Sequence, residues 1–436
     1  MTTPDLGRST VRWVGGLFVA CVLLQRFAVP GLPVALILPL VLIGAAWGLL
    51  RGLAEFNKGR VTAWLLAAGA TAIMLMVQAL VLHAPLVSVG SWALFMTVWT
   101  PFTLQLVDRR LETYLAVLRV VVTTSAAVAA GCLVMTLTQY AGLPYSDWLA
   151  EIVPGAWLLN DFVITYPVSY GSEIYRANAW IGLEPSMVSL QMGIGLVAAL
   201  LVGARMVTVA LLVGGLIVAT SGSGLAILVV ALVVLLASPA RSQLRQHLIP
   251  AGVVLAIGLS SPMGQSIVGR LGESGTDQSS TSLRAIYPYQ YLWPTWVTDL
   301  SGVVLGFGPG SSQRLVEQSG LLGLLVPTPV KIFFDYGLLA GAVLAAMILF
   351  CYLYGPSRAI TVSLLVSLWA LQPGTTTMVV VMPVLLLVTW WSPRPGDRAL
   401  EDLLGSGSRL FSRRPGRADE AAWTELSNTA RRQEMM

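Results

Sequence analysis

Apolar runs of about 15 to 25 residues, broken by Arg, Pro, Gly or polar clusters, recur along almost the whole chain. Runs of this length predict membrane-crossing helices near 13–27, 33–50, 62–82, 87–107, 115–140, 185–203, 207–220, 222–237, 248–261, 329–354, 360–371 and 377–391. The pattern therefore predicts an all-α integral membrane protein of about twelve spans. Residues 1–393 form the membrane domain, and 394–436 form a tail of Pro, Gly, Ser and mixed charge read as cytoplasmic and disordered. Two connections stand out by length, about 141–184 and 262–328. Both are rich in aromatic and apolar residues, which predicts folded loops with short helices.

The charges test the alternation. Arg8 and Arg12, then Arg51, Lys58 and Arg60, then Arg109, Arg110 and Arg119, fall on one side. Arg205, Arg241, Arg245, Arg358 and the tail from Arg394 fall on that same side. Short connections on the other side, such as 83–89 and 372–376, carry no Lys or Arg. The positive-inside rule makes the basic side cytoplasmic, with both termini there and the two long loops outside. The tail's Arg409, Arg413, Arg414 and Arg417 suit anionic headgroups, so membrane lipids count among the expected partners.

Composition agrees. Of 436 residues, 56% are hydrophobic and 11% charged, with mean hydropathy +0.77. That charged fraction is about half the usual value for a soluble domain. Lys58 and Lys331 are the only lysines. The Arg bias has two readings, codon usage or phosphate recognition by guanidinium groups. Cys21, Cys132 and Cys351 lie in apolar runs and His83 and His247 stand alone, so neither a disulfide framework nor a metal centre is expected. Phe18-Val19-Ala20-Cys21 is followed by further apolar residues, which predicts an uncleaved first span.

The predicted spans hold no Asp, Glu, Lys or Arg near a bilayer midplane, which disfavours a proton-driven carrier. The outer loops hold the chemistry instead. Arg176 and Glu184 lead into the span opened by Pro185-Ser186, with Glu184 at its N-terminal end. Glu184 is either a helix-start acid favoured by the dipole or a reacting carboxylate. Arg284 precedes five aromatics in ten residues, Tyr287, Tyr289, Tyr291, Trp293 and Trp296. These suit either an interfacial anchor or a stacking wall for sugar rings. Gly306, Gly308 and Gly310 would let backbone amides approach a phosphate, although no GK[ST] follows. Lys331 and Asp335 stand four apart at a span start, where they can pair. Guanidinium groups, a carboxylate and aromatics at one membrane surface suit a lipid-linked diphosphate sugar.

Arg176…Gly182-Leu183-Glu184-Pro185-Ser186 at a span start resembles the R…GxxxEPS element of the O-antigen polymerase/ligase superfamily. Thr220-Ser221-Gly222-Ser223-Gly224, the Arg284…Gly306-Phe307-Gly308-Pro309-Gly310 loop, and Asp335-Tyr336-Gly337-Leu338-Leu339-Ala340-Gly341 resemble its further elements in the expected order. The resemblance implies a GT-C-like membrane fold in a bacterial inner membrane, with the site outside the cytoplasm. It also implies glycan transfer from a polyprenyl-diphosphate carrier to an acceptor glycan, with inversion, no metal and no cofactor. Partners would be those two glycans and other polysaccharide-assembly proteins, with no nucleic acid. By position, Arg176 and Arg284 would face the diphosphate, with Arg314 as a further candidate. Glu184 would be the base, with Asp335 second. Tyr287, Tyr291, Trp293, Gly308, Gly310 and Lys331 would bind substrate. Two departures bear on the reaction. Gly222-Ser223 stand where family members often carry Arg. Val326-Pro327-Thr328-Pro329 stand where ligases carry a His-Asn pair, which favours a polymerase over a ligase.

Overall fold

The computed structural model describes residues 3–32, 34–80, 87–159, 162, 164, 166–168, 172–241, 252–253, 256–260, 265, 286–318, 326–353, 355–371, 377–392 and 399–405. It is 74% helical. The order is α1 (Thr3–Leu23), α2 (Ile37–Leu50), β1 (Ala54–Phe56), α3 (Lys58–Leu80), α4 (Val89–Trp99), β2 (Leu104–Leu106) and α5 (Leu111–Tyr140). There follow α6 (Trp148–Ile152), α7 (Pro185–Val202), α8 (Met206–Val218), α9 (Gly222–Ala237), α10 (Tyr287–Thr298) and α11 (Leu300–Leu305). The last elements are α12 (Ser311–Gln318), α13 (Thr328–Phe350), α14 (Arg358–Val366), a π turn Ser367–Leu371, α15 (Met378–Leu387) and α16 (Leu400–Gly405).

Five helices, α1, α3, α5, α7 and α13, are long and apolar enough to cross a membrane, and the other expected spans in the described residues are shorter. The outermost of the five, α3, leaves Leu65, Leu66, Ile73 and Met76 more than half exposed. Water covers such a continuous apolar face poorly, whereas lipid covers it well. At the centre, α7 is 94% buried and packs on α5, α8 and α9. Small residues allow the close approach. A Cβ on Gly193 would lie 2.6 Å from the Gly224 carbonyl of α9, and Gln191 donates to Ser125 of α5 at 3.0 Å.

One expectation is corrected. The run at 87–107 is not one span: α4 ends at Trp99, and Pro101, which has no N–H to donate, enters a 3-10 turn at Thr100–Thr103. The chain then forms β2, antiparallel to β1 with Ala54 opposite Leu106. Leu104 and Leu106 are buried with Gln105 between them, a two-residue period hidden in the end of an apolar run. The run at 329–354 is one helix by pattern but breaks at Gly337 (φ +66°, ψ −177°). Within the expected tail, α16 buries Leu400 and Leu404. Its Glu401 accepts from Ser357 and from the amides of Arg358 and Ala359 at the start of α14. Half of the expected span at 248–261, and residues 406–436, lie outside the described residues.

The small sheet closes one end of the bundle. Arg60, buried at the start of α3, donates to the Leu104 carbonyl at 2.8 Å and to the Ser392 hydroxyl, and lies 5.9 Å from the Phe102 ring. Beside it Asp108 accepts from Arg110 at 2.8 and 2.9 Å and from Thr113 at 2.8 Å. Burial alone would raise the Asp108 carboxyl, but the bonds from Arg110 and Thr113 outweigh it and hold the carboxyl below its usual range. A lowered folded value means full stabilisation above the ordinary carboxylate range and loss as pH falls through the lowered value. Asp108→Asn should cost about 2 kcal/mol. Melting in detergent should fall at neutral pH, with the gap to wild type closing in acid.

Candidate functional site

The loop between α6 and α7 is built on strained backbone. Ala179 (φ +54°) and Trp180 (φ +59°) both occupy the left-handed region. For residues with a Cβ this costs about 1–2 kcal/mol each, so neighbours must hold the turn. Asn178, fully buried, accepts the Trp180 N–H on its side chain at 2.9 Å and the Gly182 N–H on its carbonyl at 2.9 Å. Gly182 has no room for a side chain: a Cβ would meet Val188 at 2.1 Å. Gln139, in the last turn of α5, accepts the Tyr175 N–H at 2.7 Å and fixes the other end of the loop. The Tyr145 ring lies 5.7 Å from that of Tyr175; burial raises its phenol above the ordinary range and nearby Asp147 adds to this.

Arg176 and Glu184 stand on this loop. Arg176 is half-buried, its guanidinium 5.2 Å from the Tyr166 ring and its Nε donating to the Pro167 carbonyl at 3.2 Å. Glu184, 8% exposed, is the residue before α7. Its carboxylate makes no capping bond to its own helix and instead accepts from the Ser186 hydroxyl at 2.9 Å. Glu184 thus stands at the N-cap position, where the helix dipole favours an acid, without a side-chain capping bond. The Thr220–Gly224 element joins the same region. Ala177 donates to the Val218 carbonyl at 3.2 Å, and Ser189 bridges the Ser221 carbonyl and the Gly224 amide at 2.9 and 3.0 Å. Thr220 is itself left-handed (φ +45°), and its buried hydroxyl has no hydrogen-bond partner among the described residues.

A second cluster surrounds the break in α13. The Phe334 and Asp335 carbonyls, released from helical bonding, accept from the Phe307 and Gly308 amides at 3.0 and 2.9 Å. Gln78 of α3, fully buried, donates to the Asp335 and Leu305 carbonyls at 3.0 and 2.5 Å. The Asp335 carboxylate, 1% exposed, accepts from the Gly310 and Ser312 amides at 3.1 and 2.9 Å and from the Ser311 hydroxyl at 3.1 Å. Lys331 adds an ion pair at 3.3 Å. Gly308 (φ +104°) and Gly310 (φ +83°) thus shape a nest for an anion, and the chain's own carboxylate fills it. Asp335→Asn sets an NH₂ or a neutral oxygen against those donors. It should cost about 2 kcal/mol of stability, read by melting in detergent. An unchanged melt with lost turnover would instead mark Asp335 as a reacting group.

The aromatic cluster is the helix α10. Tyr287 and Tyr291 meet edge to face at 6.4 Å, and Trp293 and Trp296 at 5.2 Å. With the first half of α13, this helix encloses a groove of about 240 Å³, floored by Leu292 and Phe334 and rimmed by Tyr289, Trp293 and Leu338. Arg314 is exposed on α12.

The structure therefore gathers Arg176 and Glu184 on one loop, and Lys331, Asp335, Gly308 and Gly310 in another cluster. Tyr287, Tyr291 and Trp293 share a helix. Arg284 lies outside the described residues. Sequence reasoning missed Arg26, Asp147 and Gln78. Arg26 carried a signal: it is an arginine beside a short outer connection, where the other short outer connections carry none. Gln78 carried none, being one uncharged amide in an apolar run. Among the described residues no three His, Cys, Asp or Glu gather as metal ligands. No family model and no curated protein matches this chain.

Proposed function

We propose that the chain is a multi-pass glycosyltransferase of a bacterial inner membrane, with about twelve spans, cytoplasmic termini and an extracytoplasmic site. It moves a glycan from a polyprenyl-diphosphate carrier to an acceptor glycan, as a polysaccharide polymerase. The observation that carries this reading is that a half-buried guanidinium, Arg176, and a buried carboxylate, Glu184, stand on one strained loop against the most buried helix. Such groups supply the two functions the reaction needs. Glu184 takes the proton of the acceptor hydroxyl, whose oxygen attacks the anomeric carbon from the face opposite the diphosphate. The bond from carbon to diphosphate oxygen breaks, the leaving group takes the electron pair, and Arg176 stabilises its charge, with Arg284 as the expected second guanidinium. The resemblance implies that no metal is required. Aromatic residues of α10 offer flat faces to the sugars. Deleting the gene and sizing surface glycan tests this: single repeat units mark a polymerase, long unattached chains on the carrier mark a ligase, and unchanged glycan ends the reading.

A second reading, transport of a lipid-linked glycan, is favoured by the break in α13. Broken helices with protein-buried backbone are a common feature of transporter sites. Vesicles containing the purified protein separate the two readings, because transport moves the glycan without lengthening it.

A further inference from the structure

Arg26 stands just past α1, and its side chain is 1% exposed. It donates to both oxygens of Asp147 at 2.7 and 2.6 Å, and also to the Trp180 carbonyl at 2.7 Å. The ion pair alone would keep the charge from being buried unpaired. It does not explain the third bond. Trp180 is the second of two left-handed residues, and its carbonyl orientation follows from that conformation. A right-handed turn would point this carbonyl elsewhere and break the contact. The backbone of Arg26 is fixed as well: its carbonyl accepts from Leu159 at 2.9 Å, and Phe27 bridges to Leu158. The guanidinium is thus mounted on a rigid support.

The geometry points to Arg26 as a positioning residue: its bond to the Trp180 carbonyl locks the left-handed turn and so fixes the spacing between Arg176 and Glu184. This rests on the transfer reading for its consequence in turnover, but the lock itself does not. A lysine at this position keeps the charge and loses the fork, so it cannot serve three acceptors in these directions. A loop displaced by about 1 Å loses up to a hundredfold in rate, with little change in substrate affinity.

The test separates ion pairing from positioning. In the charge-swapped double variant Arg26→Asp with Asp147→Arg, the ion pair can re-form, but residue 26 can no longer donate to Trp180. Purified full-length protein in vesicles is assayed with a synthetic polyprenyl-diphosphate-linked oligosaccharide. The swap should recover the melting temperature lost in Arg26→Lys, while kcat stays at least about tenfold down and donor KM changes less than about threefold. Turnover that recovers together with melting overturns the positioning role. If the swap does not assemble, Asp147→Asn serves. It leaves the Trp180 contact in place and should lose less turnover than Arg26→Lys; an equal or larger loss overturns the inference. Hydrogen exchange gives a readout free of the transfer reading. The Trp180 and Gly182 amides should exchange at least about tenfold faster in Arg26→Lys, with α7 unchanged. Unchanged exchange there overturns the lock. If instead Arg176→Lys retains full turnover while exchange behaves as stated, the transfer reading fails and the lock stands.

Discussion

Gly337→Ala should leave little correctly assembled protein. The glycine has φ +66° and ψ −177°, a region that residues with a Cβ essentially do not enter. A Cβ there would lie 2.4 Å from the Val304 carbonyl and 2.5 Å from the Gly306 nitrogen, both backbone atoms that cannot swing aside. Gly306 is locked reciprocally: its φ is +77°, and its own Cβ would meet the Gly337 nitrogen at 2.4 Å. Backbone strain and overpacking together cost about 4 kcal/mol, close to the whole stability of a marginal fold. Size-exclusion profiles and melting in detergent check this. A monodisperse variant with wild-type melting would mean that α13 does not break at this residue. The consequence reaches the site, because the break frees the Phe334 and Asp335 carbonyls and sets the Asp335 carboxylate into its nest.

Arg176→Lys should lower kcat about a hundredfold with melting almost unchanged. Removing one well-placed donor to developing negative charge typically costs about 10²–10³ in rate. The lysine keeps a positive charge but lacks both the planar stack on Tyr166 and the directed Nε bond to Pro167. Steady-state kinetics on the lipid-linked donor separates the possible roles. A fall in kcat and kcat/KM together marks contact with the transition state, whereas a raised KM alone marks ground-state binding. Full activity would remove Arg176 from the reaction.

Much of the architecture was legible because lipid solvation writes itself into long apolar runs. The helices α7 and α9 begin where Pro185 and Gly222 say they should, and α5 covers its whole predicted run. Length and hydropathy do not report backbone path, however. Leu104 and Leu106 add to a hydropathy sum equally well in a strand or a helix, and Gly337 looks like an ordinary glycine of a membrane helix. The Lys331–Asp335 pair was visible from spacing, since residues four apart share a helix face. What surrounds it was not: the Gly310 and Ser312 amides come from a separate loop, and only the fold brings them there. The same holds for Arg26, whose partners Asp147 and Trp180 are distant in sequence. The glycine loop read as a phosphate cradle has the right shape for an anion, but it holds an internal carboxylate.

The most direct test of glycan transfer is to count products. Purified protein in vesicles is given a lipid-linked oligosaccharide, and both free polyprenyl diphosphate and new glycosidic bonds are measured. One polyprenyl diphosphate released for each bond formed is the predicted result. Glycan that reaches the opposite leaflet with its length unchanged and no carrier set free would contradict it.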